Sequence, residues 1–266
     1  MRSAASILSK EGDSSAIPSR SAGSLRTVAE IAELAGGLAH ELRNPLSTMM
    51  INLKLLSEEL EDMDARPEDV RRRSLLKVDV LRREAERLQR LFDEFLNLAG
   101  PCRLEPADVD LNEVVRRLVE FLRPLIDDKG INVSVEPGEG MVTCWADEKL
   151  LDQALLNIVI NAQEAMPDGG DLRIWTGIDG DDAFIAVSDT GTGIDERDRQ
   201  RILRPFFSTK ATGSGLGLSI TQRIVHEHGG TMSLESERSK GTTFTIRLPR
   251  RPGRAVSAEE IRCDAD

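Results

Sequence analysis

His40 and its neighbours carry the strongest chemical signal in the chain. The stretch H-E-L-R-N-P-L spans residues 40–46, and His40 is one of only three histidines. Imidazole can take up and release a transferred group or a proton near neutral pH. Glu41 beside it is a ready base, and Asn44, four residues on, shares its helix face. A lone helical histidine is more often ordinary surface, so the remaining motifs have to carry weight. Two amides, Asn157 and Asn161, sit four apart on the apolar helix D-Q-A-L-L-N-I-V-I-N-A-Q-E-A-M, residues 152–166. Such a pair either ties helix to loop by hydrogen bonds or turns an amide oxygen toward a hard cation such as Mg²⁺.

Two glycine-rich stretches follow. In A-V-S-D-T-G-T-G-I (186–194) a strand runs into Asp189, with Gly191 and Gly193 behind it. A carboxylate there can accept a hydrogen bond from an exocyclic amine, and the glycines admit a close approach to the backbone. Alone, D-x-G-x-G is more often a tight turn. In R-P-F-F-S-T-K-A-T-G-S-G-L-G-L-S-I (204–220), Gly213, Gly215 and Gly217 lead into a helix. Backbone donors at such a helix start suit a phosphate chain, to which Thr209 and Lys210 can add a hydroxyl and a point charge. Phe206 and Phe207 read as structural anchors of the loop base. His226 and His228 read as structural residues in the last helical turn, where positive charge is favoured. Gly229-Gly230 caps that helix, and Gly241 opens the last strand after a turn.

The elements that must position these groups differ on the two sides of residue 101. Residues 1–25 are rich in Ser, Gly and Ala without an apolar period, which predicts a flexible arm. From residue 26, Ala35, Ala39, Leu42, Leu46, Met49, Leu53, Leu56 and Leu60 advance in steps of four and three, a heptad seam. His40 follows the seam residue Ala39, so it is expected on the exposed flank, with Pro45 bending the helix beside it. After a break, Pro67 starts a second helix with the seam Val78, Leu81, Ala85, Leu88, Phe92 and Phe95. Gly100-Pro101 ends it and is the hinge candidate. An antiparallel hairpin over 26–100 would leave apolar surface bare, so a dimeric four-helix bundle is expected.

Beyond Pro101 short β-like runs (133–135, 141–144, 171–176, 183–187, 231–234 and 242–248) alternate with helical patterns at 112–127, 147–166 and 216–228. This predicts a two-layer α/β (α+β) sandwich over 104–250, with a polar tail at 251–266. The net charge of −11 argues against general nucleic-acid binding. No apolar run is long enough to span a membrane. The three cysteines lack metal-ligand spacing and read as reduced thiols of a cytoplasmic protein.

Taken together, these motifs resemble the catalytic half of bacterial two-component sensor histidine kinases, over about residues 26–250. H-E-L-R-N-P-L is similar to the family's H-box, N-I-V-I-N-A to its N-box, D-T-G-T-G-I to its G1 box, R-P-F-F-S-T-K to its F-box and G-S-G-L-G-L to its G2 box, all in the family's order. The resemblance implies a dimeric phosphoacceptor bundle joined to a Bergerat-type ATP-binding domain. It implies that His40 is the phosphoacceptor, Glu41 its base, Asn161 a Mg²⁺ ligand and Asn157 a neighbour of the phosphates. Asp189 would receive the adenine amine, while Gly191, Gly193, Thr209, Lys210, Gly213, Gly215, Leu216 and Gly217 would line the nucleotide. Asn44 matches the position that orients water for dephosphorylation of a response regulator, which implies a bifunctional kinase and phosphatase. The acceptor Asp would lie in the receiver domain of a separate response regulator. M-P-D-G-G and the short lid between Lys210 and Gly213 are similar to the soluble nitrogen-regulator-type kinases. Only the short arm precedes the bundle, so the signal is expected from an upstream partner or from that arm, unless the chain is a fragment. Thr192 stands where proline is frequent in the G1 box.

Relatives of this ATP-binding fold that hydrolyse ATP carry a Glu four residues before the metal-binding Asn. Here that position is Asn157, which leaves no carboxylate to activate water and favours transfer to an imidazole. An anti-sigma-type serine kinase would need neither the H-box nor the bundle. A scaffold that only docks a regulator would have no use for intact nucleotide motifs.

Overall fold

The computed structural model describes residues 28–61, 67–210 and 213–251. The expected arm at 1–25, the tail beyond 251, Cys263 and the two residues between Lys210 and Gly213 lie outside the described residues. Helices α1 (Val28–Glu61) and α2 (Pro67–Ala99) form the expected hairpin. The Glu59 carboxylate near the end of α1 meets Lys77 (2.6 Å) and Arg73 (3.5 Å) near the start of α2.

The heptad seam divides between two faces. Leu42, Met49 and Leu56 on α1, with Leu81, Leu88 and Phe95 on α2, are half-buried, whereas Ala39, Leu46, Leu53, Leu60, Val78, Ala85 and Phe92 are exposed. Each set repeats every seven residues. One row therefore packs within the hairpin and the other looks outward, as it must if a second hairpin is to complete a bundle. Pro45 stays inside α1 and is buried. Its missing N–H frees a carbonyl one turn earlier. Ser47 and Thr48 bond back to the Arg43 and Asn44 carbonyls at 2.8 and 3.2 Å, a pattern that bends helices.

The second domain adds β1 (Ala107–Asp110), α3 (Leu111–Asp128), β2 (Ile131–Glu136), β3 (Thr143–Ala146), α4 (Glu148–Ala165), β4 (Gly170–Asp179), β5 (Asp182–Asp189), α5 (Glu196–Arg199), α6 (Gly217–Glu227), β6 (Thr231–Glu237) and β7 (Gly241–Pro249). The main sheet has the order β2-β4-β5-β7-β6, antiparallel except for the parallel pair β2–β4, and β1 pairs with β3 alone. Helices α3, α4 and α6 cover one face of the sheet and give the expected two-layer sandwich. β1 and the one-turn α5 were not expected: A-D-V-D is only four residues long with Val109 its one large apolar side chain, too short to establish a period of two.

The boundaries of α4 follow from its cap. The Asp147 carboxylate accepts from Lys149 N–H (3.1 Å) and Leu150 N–H (3.3 Å), and its second oxygen from Glu105 N–H (2.9 Å). Burial works to raise the Asp147 carboxyl, but these three donors outweigh it and hold it below the ordinary range. His228 is buried and does not act as a helix-end cation. Its Nε2 accepts from Asp147 N–H at 2.8 Å, which leaves the proton on Nδ1, 2.7 Å from the Ile224 carbonyl. It is a neutral bridge from the end of α6 to the start of α4. The Gly229-Gly230 cap forms as expected, with Gly230 N–H to Val225 O at 2.9 Å.

The two domains touch at the open end of the hairpin, opposite the turn that joins α1 to α2. Leu34 and Leu98 are buried in the core of the second domain. The Arg223 guanidinium on α6 donates to the carbonyls of Asn97 and Leu98 at 2.6 Å each, and to that of Gly100. It thereby satisfies the free end of α2.

Candidate active site

The N-box helix, the end of β5 and the glycine-rich loop converge on one cleft. A cavity of about 640 Å³ is lined by Asn157 and Asn161 on α4, Asp189 at the end of β5, and Gly193 after it. Thr209, Lys210, Gly213, Gly215 and Gly217 complete the same wall. Gly191 and Leu216 do not line it, and Leu216 is fully buried beneath α6.

Asn157 and Asn161 divide the two readings of the amide pair between them. The Asn157 amide donates to the Gly217 carbonyl (3.1 Å) and, more weakly, to Thr221 Oγ1 (3.4 Å). Thr221 Oγ1 also bonds Gly217 O at 2.9 Å. The start of α6 is thus tethered to α4 by a donor that a glutamate could not supply. Asn161 lines the cavity, and its side-chain amide makes no hydrogen bond among the described residues. Among those residues no group of three or more His, Cys, Asp or Glu could hold a metal ion. A cation here would depend on the Asn161 amide oxygen and on oxygens its ligand brings. That donor set fits Mg²⁺, which favours sparse protein ligation supplemented by phosphate and water.

Asp189 is buried, and its Oδ1 accepts from Gly191 N–H at 2.8 Å. Burial pushes its carboxyl above the ordinary range, partly countered by N–H donors from Gly191 and Thr242 and by the charge of Lys210. The glycines behind it serve the chain's own packing. A Cβ on Gly193, at φ +64°, would stand 2.0 Å from the Glu237 carbonyl. Gly215, at φ +67°, lies against the backbone of Phe206 and Phe207, and its carbonyl accepts from Phe206 N–H at 3.0 Å.

Lys210 meets a partner that the sequence reading did not single out. Its Nζ lies 2.6 Å from Glu164 Oε2, and Glu164 follows Asn161 by three residues on the same helix face. That spacing is visible in the sequence and marks Glu164 as a cleft residue. Phe206 does more than anchor its loop. It adopts φ +62°, strained for a non-glycine residue. Its ring covers Gly37 on α1, where a Cβ would stand 2.3 Å from Phe206 Cδ2.

His40 lies one turn beyond Gly37, outside the cavity, with its side chain 72% exposed. Glu41 Oε1 stands 3.9 Å from His40 Nδ1, the ring nitrogen on the Glu41 side. Asn44 is exposed on the next turn. The structure brings His40, Glu41 and Asn44 together on α1 and gathers the nucleotide motifs in the cleft. It does not bring the two groups together. Cys144 is buried, and burial raises its thiol to about 12, so it is inert. Cys102 and Cys144 are free thiols, and no described helix is long and apolar enough to cross a membrane.

Comparison with known proteins agrees in both halves. The family model of the His Kinase A (phospho-acceptor) domain matches residues 30–100. That of the Histidine kinase-, DNA gyrase B-, and HSP90-like ATPase matches residues 146–252. The sensor histidine kinase ZraS of Klebsiella oxytoca is 36% identical over 82% of this chain and 46% of its own length. Sporulation kinase E of Bacillus subtilis is 32% identical over 90% of this chain and 30% of its own. The chain therefore spans less than half the length of these curated relatives. The catalytic domain of histidine kinase ThkA is 30% identical and superposes with a TM-score of 0.51, covering 55% of this chain and 96% of that one. ThkA in complex with the response regulator protein TrrA is 26% identical, with a TM-score of 0.69 over 85% of this chain and 63% of that one.

Proposed function

The chain belongs to the two-component sensor histidine kinases built from a His Kinase A hairpin and an HSP90-like ATPase domain, and from that membership we propose that it phosphorylates itself on His40 with Mg-ATP. His40 Nε2 attacks the γ-phosphorus, the bond to the bridging oxygen of ADP breaks, and Glu41 takes up the imidazole proton at Nδ1. The phosphoryl group then passes to an Asp in the receiver domain of a separate response regulator. Asn44 orients water for the reverse task, dephosphorylation of that regulator. The convergence of Asn161, Asp189, Lys210 and the Gly213–Gly217 loop on one cavity carries this reading.

In the cleft, Asp189 accepts the adenine amine while Gly193 and Thr209 line the nucleotide. Lys210 leaves Glu164 for the phosphates, and the first turn of α6 meets them with its free N–H groups. Asn161 would be the residue to hold Mg²⁺, whose chemistry there would be to neutralise charge on the transferring group. Asn157 acts through the loop, by fixing Gly217. The missing carboxylate at 157 favours imidazole over water as acceptor. Because His40 lies outside the cavity, transfer requires the catalytic domain to swing about the segment after Gly100.

The outward heptad row is the surface on which a second copy completes the bundle as a homodimer. The reaction belongs in the cytoplasm, where ATP and the receiver are found, under a signal delivered by an upstream sensory segment or partner. A nitrogen-regulator subtype rests on M-P-D-G-G and on the short lid between Lys210 and Gly213.

The test is phosphotransfer. Wild-type chain labelled from γ-³²P-ATP should pass label to a cognate receiver domain, and Asn161→Ala should fail to label while keeping its fold. Full labelling of Asn161→Ala would remove its ligand role. Asn44→Ala should retain labelling and lose dephosphorylation of the receiver; an unaltered dephosphorylation rate would refute that assignment.

A further inference from the structure

One face of α2 is unlike the rest of the hairpin. Arg83, Glu84, Arg87, Arg90, Leu91 and Glu94 line the same cavity as the nucleotide motifs. They fall on a single stripe that rises roughly 16 Å along the helix. Helix faces that pack on a second domain are ordinarily apolar, yet only Leu91 is apolar here. The apolar rows of α2 point elsewhere, to α1 and outward. Arg83 and Arg90 are exposed, but the stripe is not solvated throughout: Leu91 is 2% exposed, and one carboxylate oxygen each of Glu84 and Glu94 is buried without a hydrogen-bond partner. A charged wall along a cleft calls for a polar, charged occupant.

The stripe can be placed along the cleft. Arg223, in the second half of α6, grips the end of α2 at Asn97, Leu98 and Gly100. Two turns earlier on α2, Leu91 shares the cavity with Leu218 in the first turn of α6. Arg90, Arg87 and Arg83 therefore continue past the N-terminus of α6, where the Gly213–Gly217 loop presents its backbone. On the reading of the cleft as an ATP site, this is its phosphate end. Arg83 is held by Asp79 at 2.7 Å, and Lys210 by Glu164 at 2.6 Å. Arg87 lies a loose 4.0 Å from Glu84, and Arg90 has no ion-pair partner among the described residues.

We propose that the nucleotide site is composite, with α2 of the hairpin supplying Arg87 and Arg90 to the phosphate chain of a nucleotide whose base is held on the catalytic domain. This rests on the reading of the cleft as an ATP site. Guanidinium forks match phosphate oxygens in charge and geometry. ATP then bridges the two domains, and by linkage any signal that rotates α2 changes nucleotide affinity while nucleotide biases the hairpin in return.

The experiment uses the full chain, a fluorescent ATP analogue, and competition by ATP and by ADP. Arg87→Ala/Arg90→Ala should weaken ATP about tenfold, the scale of one lost charge-assisted bond. ADP should lose less, both losses should shrink with added salt, and Arg87→Lys/Arg90→Lys should recover part of the affinity. Hydrogen exchange should show ATP protecting residues 83–94 in the wild type and not in the double alanine variant. Wild-type ATP affinity in that variant, or no protection of α2 by ATP, overturns the composite site. Asp189→Asn is the control. If it too leaves affinity unchanged, the cleft reading itself has failed and the composite site falls with it.

Discussion

Gly37→Ala separates the contributions of the two domains. A Cβ at this position would stand 2.3, 2.7 and 2.9 Å from Cδ2, Cε2 and Cγ of Phe206. Carbon atoms in contact prefer about 3.5–4.0 Å, so the ring must withdraw by more than about 1 Å. It cannot withdraw freely. Phe206 N–H is bonded to Gly215 O at 3.0 Å, and its backbone already holds φ +62°. Overpacking of this kind costs about 1–3 kcal/mol, which loosens the docked arrangement by about 5- to 150-fold. Within α1 the same change should favour the helix by about 1 kcal/mol, because alanine replaces glycine. The hairpin should therefore become more stable while the domains part. Hydrogen exchange should show faster amides at 204–208 and at the α2 end held by Arg223, with no loss of protection in mid-α1. Phe206→Ala removes the clash, so Gly37→Ala added to it should have little further effect on docking. Unchanged exchange at 204–208 in Gly37→Ala, or strict additivity with Phe206→Ala, would refute the claim that this contact holds the domains.

Other outcomes follow from the same geometry. Asp147→Ala removes the α4 cap and the Glu105 bond and should cost about 2–3 kcal/mol in denaturant unfolding near neutral pH. Because the folded carboxyl is lowered, its contribution is present above the ordinary Asp range, about pH 4, and is lost as pH falls through the folded value. The gap between wild type and variant should therefore close in acid. Asp189 has the opposite sign: burial raises it, so its ionised form burdens the empty protein once pH rises through the folded value. Asp189→Asn should unfold no earlier than wild type at neutral pH, with any gain vanishing below about pH 4, yet it should lose nucleotide binding by calorimetry. Asn157→Asp replaces a donor to the Gly217 carbonyl with a charge. It should cost about 2 kcal/mol and weaken nucleotide binding through a disordered α6 start, seen as faster exchange at 215–221.

The parts of this molecule that were legible in advance are those whose local chemistry and tertiary role agree. The bounds of α4 are legible to within a residue or two because Asp147 caps it and its apolar period is unbroken. The sandwich was legible because β4, β5 and β7 bury alternate residues on one face. The heptad seams were visible, but their division into an inward and an outward row depends on which helix stands beside which. The charged run R-R-E-A-E-R-L-Q-R-L (82–91) reads locally as a solvated helix face. Only the docking of the second domain over it makes it a cleft wall. Asn157 is similar. Its amide could tie a loop or face a ligand, and the choice depends on Gly217, 60 residues away. His228, expected where cations are favoured, became a neutral bridge because Asp147 N–H points at its Nε2.

The account stands on His40 as the acceptor of the γ-phosphoryl group. The most direct measurement incubates wild-type chain and His40→Gln with γ-³²P-ATP and Mg²⁺, checks nucleotide binding in parallel, and tests the stability of the labelled bond. Label on the wild type should be lost in acid and retained in alkali, as for a phosphoramidate. His40→Gln should carry no label, with ATP bound as tightly as before. Full labelling of His40→Gln, or label that survives acid, would contradict His40 as the acceptor.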